Sequence, residues 1–182
     1  MKHFYQNIGE DWFTYSTFYS TVVENAENNA HFVEVGSWKG RSSVFMAVEI
    51  INSKKNIKFD CVDIWESSDE YLQYDSIINN TLYEEFLENI KPVSNIINPI
   101  KKTSIEASKL YKDNSLDFVF IDACHSYECV KEDIINWYPK VKTGGIIAGH
   151  DLHVDEIMKA VNEELTEVYC VPREDIWIKS VN

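Results

Sequence analysis

His31-Phe32-Val33-Glu34-Val35-Gly36-Ser37-Trp38-Lys39-Gly40-Arg41-Ser42-Ser43 decides how the rest of the chain is read. A short apolar run, Phe32 to Val35, carries one acid and meets a glycine. Gly40 then opens a stretch, Arg41 to about Asn52, that is apolar nearly all round: Val44, Phe45, Ala47, Val48, Ile50 and Ile51. Strand, glycine turn and buried helix, in that order, form the unit that holds nucleoside-type cofactors at the edge of an α/β sheet. The spacing is Gly36-x-x-x-Gly40 and not GxGxxG. A dinucleotide fingerprint needs its middle glycine so that backbone can approach a pyrophosphate, and Trp38 stands there instead. The turn therefore suits a cofactor without a pyrophosphate better than NAD or FAD.

Working outward, Trp12, Tyr15, Tyr19, Val22 or Val23, and Ala26 recur at helical spacing, which predicts a helix from Asp11 to about Glu27. Beyond the glycine turn, Ile57 to Ile64 reads as a strand ending in Asp63. Glu66 to Asn80 is polar and aromatic without clear period, a long loop or short helix over the site. Helix is expected over Leu82–Ile90, Ser104–Tyr111 and Tyr127–Tyr138, and strand over Asn95–Ile100 and Leu116–Ile121. Gly144-Gly145 is expected to turn the chain into a strand from Ile146 to Ala148. Asp155 looks like the N-cap of a helix to about Leu165, and Val168–Val171 and Ile176–Val181 close the chain as strands. Alternating strands and helices predict a Rossmann-like α/β fold, a mostly parallel sheet with helices on both faces. The last two strands are joined too tightly for a helical crossover, so an antiparallel C-terminal strand pair is expected.

The 182 residues are enough for one domain with a full core. Thirty acidic and 17 basic side chains, a net charge of -13, argue against binding a nucleic-acid backbone or an anionic membrane surface. No apolar run is long enough to span a bilayer, and Met1 to Gln6 is too polar and aromatic for a signal peptide, so a cytoplasmic protein is expected. Cys61, Cys124, Cys129 and Cys170 form no CxxC pair and read as reduced thiols, neither a disulfide framework nor a zinc site.

The chemistry-bearing residues sit at strand ends. Asp63 lies 23 positions after Gly40, where a carboxylate can accept from both ribose hydroxyls, and Trp65 beside it walls that site or belongs to the core. Asp117 to Tyr127 and Gly144 to Asp151 are two more apolar strands that break into Asp and His at their C-terminal ends. Asp63, Asp122 and Asp151 brought to one edge repel unless a cation or a proton separates them.

Three motifs, Glu34-Val35-Gly36-Ser37-Trp38-Lys39-Gly40-Arg41-Ser42-Ser43, then Asp122-x-x-His125-x-Tyr127, then Gly144-Gly145-x-x-x-Gly149-His150-Asp151, occur in order. Together they resemble the class I S-adenosylmethionine-dependent methyltransferases. Within that class they are similar to the branch of macrocin-type sugar O-methyltransferases and cephalosporin-hydroxylase-like proteins. The likeness covers roughly Phe32 to Asp151 and makes residues 1–182 one methyltransferase domain. It implies that Glu34 and the Gly36–Gly40 turn, with Ser37 and Ser42, hold the methionine part of S-adenosylmethionine. Asp63 and Ile64 would meet the ribose, Ser104 the adenine, and Asp122 would be a further cofactor contact. Asp122, His150 and Asp151 match positions that bind a divalent cation, Mg or Mn, in parts of the branch, and His125 lies near the acceptor as a base. The chain departs from the pattern at Ala123-Cys124, where relatives often have Gly-Asp, and at His150, where metal-binding members carry an acid.

Methyl transfer from a sulfonium is an in-line displacement, and the protein mainly aligns donor and acceptor. A neutral sugar hydroxyl is a poor nucleophile, so a base or a Lewis acid must help. His125, Asp122 and His150 are the catalytic candidates; a cation on Asp122, His150 and Asp151, or His125 alone as base, both satisfy that need. His153 reads as a solvated loop residue, and His3 and His31 as uninvolved. Tyr71, Tyr74 and Tyr83 would stack on a sugar, form a lid, or simply lie on the surface. The expected activity is O-methylation of a small-molecule acceptor such as a saccharide or glycosylated metabolite, with no nucleic-acid or membrane partner and with self-association as a homo-oligomer. The competing readings are a nicotinamide-dependent oxidoreductase and a non-catalytic protein that only binds S-adenosylmethionine.

Overall fold

The computed structural model describes residues 1–66 and 73–182. Seven strands form one sheet: β1 (His31–Val35), β2 (Lys58–Asp63), β3 (Ile97–Lys101), β4 (Leu116–Ile121), β5 (Val141–Gly149), β6 (Tyr169–Val171) and β7 (Ile176–Ser180). Their order across the sheet is β3-β2-β1-β4-β5-β7-β6. The first five are parallel; β7 runs antiparallel to both β5 and β6. The expected fold is therefore present: a mostly parallel sheet, an antiparallel C-terminal pair and helices on both faces.

The strands are apolar on both sides, as a sheet covered twice must be. Phe32, Phe59, Phe118 and Phe120 face α1 (Ser16–Asn25), α2 (Arg41–Ser53) and, among the later elements, α4 (Leu82–Ile90), which follows the short α3 (Asp75–Ile78). Val33, Val35, Val119 and Ile121 face the other way, toward α5 (Ser104–Ser108), α6 (Tyr127–Trp137) and α7 (Asp155–Glu164). Strand order reverses between β1 and β4, since β2 and β3 lie on one side and β5 on the other. That opens a crevice beyond the carboxyl ends of the strands. The ends of β1, β2, β4 and β5 all deliver their polar residues there.

Three local expectations give way to tertiary contacts. The helix predicted from Asp11 begins only at Ser16. Asp11, Thr14 and Tyr15 are instead drawn out to Arg41, His150 and Asp122, which outweighs their helical spacing. Gly144-Gly145 is not a turn but lies within β5, where the register against β4 shifts. A Cβ at Gly145 would meet the Asp117 carbonyl at 2.9 Å, so the pair allows a bulge. Asp155 is the first residue of α7 and Val154 its cap, so Asp155 acts as a first-turn acid without a capping bond.

Candidate active site

The glycine turn is built by close approach. Gly36 has φ +88°, its N–H donates to the Val62 carbonyl at 2.8 Å, and a Cβ there would lie 2.0 Å from the Asp122 carbonyl oxygen. Only glycine lets β1 and β4 end side by side. Gly40, at φ +89°, caps α2 and packs on Phe86 and Ile90. Between them the Ser37 and Trp38 N–H groups both donate to Asp63 Oδ2 at 2.9 Å. Trp65 N–H donates to Asp63 Oδ1 at 2.7 Å, and the Trp65 indole N–H reaches the Trp38 carbonyl at 2.8 Å. Asp63 thus ties the turn to β2, and burial raises its pKa even though those three N–H groups favour the carboxylate. Three of about four acceptor positions on the carboxylate are occupied.

Glu34 does something different from its expected contact with the methionine part. Strand alternation turns it onto the α2 face, opposite Val33 and Val35. It is fully buried, and accepts from Ser42 Oγ and, at 2.9 Å, from Ser43 Oγ. Burial pushes its pKa up to about 8, helped by the negative charges of Asp122 and Asp63 and opposed by the two serine hydroxyls.

Across the crevice, the ends of β4 and β5 assemble a polar chain. The Tyr15 hydroxyl donates to Asp122 Oδ2 at 2.7 Å. His150 Nδ1 lies 3.5 Å from Asp122 Oδ1 and 3.3 Å from Asp151 Oδ1. His125 Nε2 lies 2.9 Å from Asp151 Oδ2. His150 Nε2 is 2.9 Å from Thr14 Oγ1, whose proton goes to the Glu174 carbonyl at 2.7 Å. Burial opposes charge on His150, yet Asp122 and Asp151 push its pKa up to about 10. Burial likewise opposes charge on Asp151, but His125 and His150 hold it well below the usual carboxylate range.

Both halves face one cavity of about 1130 Å³, a size above the usual range for a single small ligand. Of the residues singled out from sequence, Gly36, Ser37, Ser42, Asp63, Ile64, Ser104, Asp122, His125, His150 and Asp151 line it. Glu34 and Gly40 do not: one lies beneath α2 and the other packs on α4. Trp65 belongs to the core, against Phe86 and Tyr83 at 4.5 and 4.9 Å between ring centres. The Ser104 hydroxyl is already shared with Asp133 and, at 2.8 Å, with the Trp137 indole. Asp133, buried in the same wall, has its pKa raised to about 6 by burial.

Tyr74 packs on Trp38 and Trp12 outside the cavity wall, and Tyr71 lies outside the described residues. His153 is exposed and pairs with Asp175, while His3 pairs with Glu49 and His31 with Asp60. The sequence reading missed the segment before α1. Glu10 accepts from the Trp38 indole at 2.8 Å, and Asp11 pairs with Arg41. Thr14 and Tyr15 then reach the far side. The only signal was polar residues interrupting an apparent helix.

The wall fits a cationic nucleoside. Ser37 Oγ is buried without a hydrogen-bond partner among the described residues, and carboxylates surround the crevice. The set Asp122, His150 and Asp151 does not fit a divalent ion. Each nitrogen of His150 is engaged, and its ring already sits between the two carboxylates.

Residues 33–152, more than half of the chain, match the family described as a methyltransferase domain. The chain belongs to this methyltransferase family. S-Adenosylmethionine is the methyl donor that the family implies. A curated Sinorhizobium fredii protein, "Uncharacterized protein y4gI", is 25% identical over 145 residues, which are 80% of this chain. The chain spans only 15% of that relative's length. Among solved structures, the O-methyltransferase NovP superposes with a TM-score of 0.66 at 18% identity, over 92% of this chain and 79% of NovP. Cofactor-bound Rv0187 from MTB gives 0.67 at 13% identity, over 96% and 82%. A Corynebacterium glutamicum protein gives 0.65 at 10% identity, over 97% and 85%. At these identities the likeness is one of fold. The matches favour neither the nicotinamide-dependent nor the purely binding alternative.

Proposed function

We propose that this methyltransferase acts on oxygen, on a hydroxyl of an uncharged small molecule such as a saccharide or a glycosylated metabolite. The His125–Asp151 pair carries the reading. His125 Nε2 lies 2.9 Å from Asp151 Oδ2, an ion-pair distance that orients the ring at the cavity wall. Asp151 fixes the ring and favours its protonated form, as the third member of a catalytic triad does. A hydroxyl acceptor needs such a base and a ready-made nucleophile does not.

When bound, S-adenosylmethionine supplies a methyl group activated on a sulfonium. His125 would take the proton that the acceptor hydroxyl loses as its oxygen is methylated. Asp63 and the Ser37 hydroxyl hold the nucleoside end, and Asp122 lies between that end and the base. The many carboxylates of the wall repel phosphorylated or otherwise anionic acceptors and tolerate neutral ones.

Two measurements test the reading. S-Adenosylhomocysteine should raise the melting temperature and NADH should not; stabilisation by NADH alone defeats it. A panel of glycosides should then contain an acceptor that yields an O-methyl product. His125→Ala should lower its turnover by about 10²–10⁴-fold with S-adenosylhomocysteine affinity unchanged. Methylation exclusively at nitrogen or carbon would refute the assignment to oxygen.

A further inference from the structure

We propose that His150 is itself the cation of this centre: a two-sided hydrogen-bond donor that occupies the place of a divalent ion between Asp122 and Asp151. The inference deepens the methyl-transfer reading and takes the cavity to be that site. Its test needs no acceptor, so the two can fail separately.

The protons follow from one hydrogen bond and two ion-pair contacts of the ring. Thr14 has one hydroxyl proton, and it goes to the Glu174 carbonyl at 2.7 Å. Toward His150, 2.9 Å away, Thr14 Oγ1 can only accept, so Nε2 carries a proton. Nδ1 faces Asp122 Oδ1 at 3.5 Å and Asp151 Oδ1 at 3.3 Å, so two carboxylate oxygens at ion-pair distance favour a proton on that nitrogen as well. The ring is 8% exposed and has no solvent shell to replace these partners.

What faces it from each neighbouring element is consistent with positive charge. Asp122 follows β4, Asp151 follows β5, and Asp175 in the β6–β7 turn offers an oxygen within 4.8 Å. The Tyr15 ring lies 4.9 Å away, within cation–π range. All four oxygens of Asp122 and Asp151 already face a partner: the Tyr15 hydroxyl by a hydrogen bond, and His125 and, on one oxygen of each, His150 at ion-pair distance.

A metal ion held by His150 would have to expel a proton from a nitrogen whose partners favour that proton. An ion placed instead among Asp122, His125 and Asp151, whose ligand atoms lie within 4.8 Å of one another, would break the His125–Asp151 bond. It would also sit beside the imidazolium. His125 then remains the base, and His150 keeps Asp151 ionised and oriented toward it.

The experiment titrates the full chain, freed of metal, with Mn²⁺ near neutral pH. Free ion is followed by electron paramagnetic resonance, and the ¹⁵N signals of the histidine rings are recorded in parallel, with His150 assigned through His150→Asn. The wild type should show no saturable Mn²⁺ binding below about 1 mM, a limit equivalent to about 4 kcal/mol. Both ring nitrogens of His150 should remain protonated from about pH 6 to about pH 8. His150→Asp places a third carboxylate beside Asp122 and Asp151 and should bind Mn²⁺ at least about tenfold more tightly than wild type. If that variant does not fold, the wild-type titration and spectra decide alone. One-to-one Mn²⁺ binding by the wild type that is lost in Asp122→Asn overturns the proposal, as does a neutral His150 ring near neutral pH.

Discussion

Replacing Glu34 with glutamine should stabilise this protein progressively more as pH rises. Glu34 is fully buried on the α2 face of β1, and burial holds its pKa at about 8 against an ordinary 4.5. Between those values the folded chain keeps a proton that the unfolded chain has released. Stability therefore falls as pH rises: the contribution is complete below 4.5 and lost by about 8. At about 1.4 kcal/mol per pH unit, moving from about pH 5 to about pH 8 removes roughly 4 kcal/mol. That is a large share of a typical domain's stability. Glutamine has the shape of the protonated acid and does not titrate. Its oxygen can accept from one of Ser42 and Ser43 while its amide donates to the other. Urea unfolding of both proteins across that pH range gives the difference directly, and titrations common to both, such as those of His150 and Asp133, cancel in it. The variant should gain a few kcal/mol relative to wild type between the two ends, at unchanged m-value. Parallel curves would show Glu34 to be ionised in the folded protein and would refute the reasoning.

Gly36→Ala should cost about 2–5 kcal/mol in urea unfolding, from a left-handed backbone at about 1–2 and overpacking at about 1–3, because its Cβ would lie 2.0 Å from the Asp122 carbonyl. Asp63→Asn keeps the shape but offers one acceptor oxygen to the three N–H groups of Ser37, Trp38 and Trp65. Calorimetry should find S-adenosylhomocysteine bound at least about tenfold more weakly, the equivalent of one lost charge-assisted bond. Thr14→Val leaves His150 Nε2–H and the Glu174 carbonyl without their shared partner. It should lower stability by about 1–3 kcal/mol and move the His150 ¹⁵N signals, whereas Thr14→Ser should restore both.

The glycine turn, the strand ends and the sheet were legible because each rests on local chemistry. Gly36 is where it is because two strands converge, and the apolar runs are continuous because both faces of the sheet are covered. Asp63 was read as a ribose acceptor beside the turn, but its bonds in the structure are to backbone N–H groups of the turn and of Trp65, which a sequence does not display. Glu34 was misplaced for a reason the sequence did contain. Phe32 and Glu34 share one face and Val33 and Val35 the other, and the helix that follows has serines in its first turn. The segment from Glu10 to Tyr15 was not legible. Its helical spacing is real, and it is overridden by partners between 28 and 160 positions away, Trp38 and Arg41 at one end and Asp122, His150 and Glu174 at the other.

Glu34, Asp63, Asp122 and Asp151 all come to one sheet edge, and the mutual repulsion of such a group must be removed before the fold can close. Each is relieved differently. Glu34 keeps its own proton, since hydroxyls alone do not offset complete burial. Burial raises the pKa of Asp63, and the dipoles of three backbone N–H groups offset part of that cost. Asp122 and Asp151 share the imidazolium of His150, which Thr14 holds in place from the far end of the chain. A resident cation would relieve the last pair equally well, but it would be one charge too many for an edge that must also accept a sulfonium. The arrangement leaves residual negative charge where a cationic methyl donor enters and where a proton arrives on His125. Charge bookkeeping at this edge thus favours a protonated side chain over a metal ion.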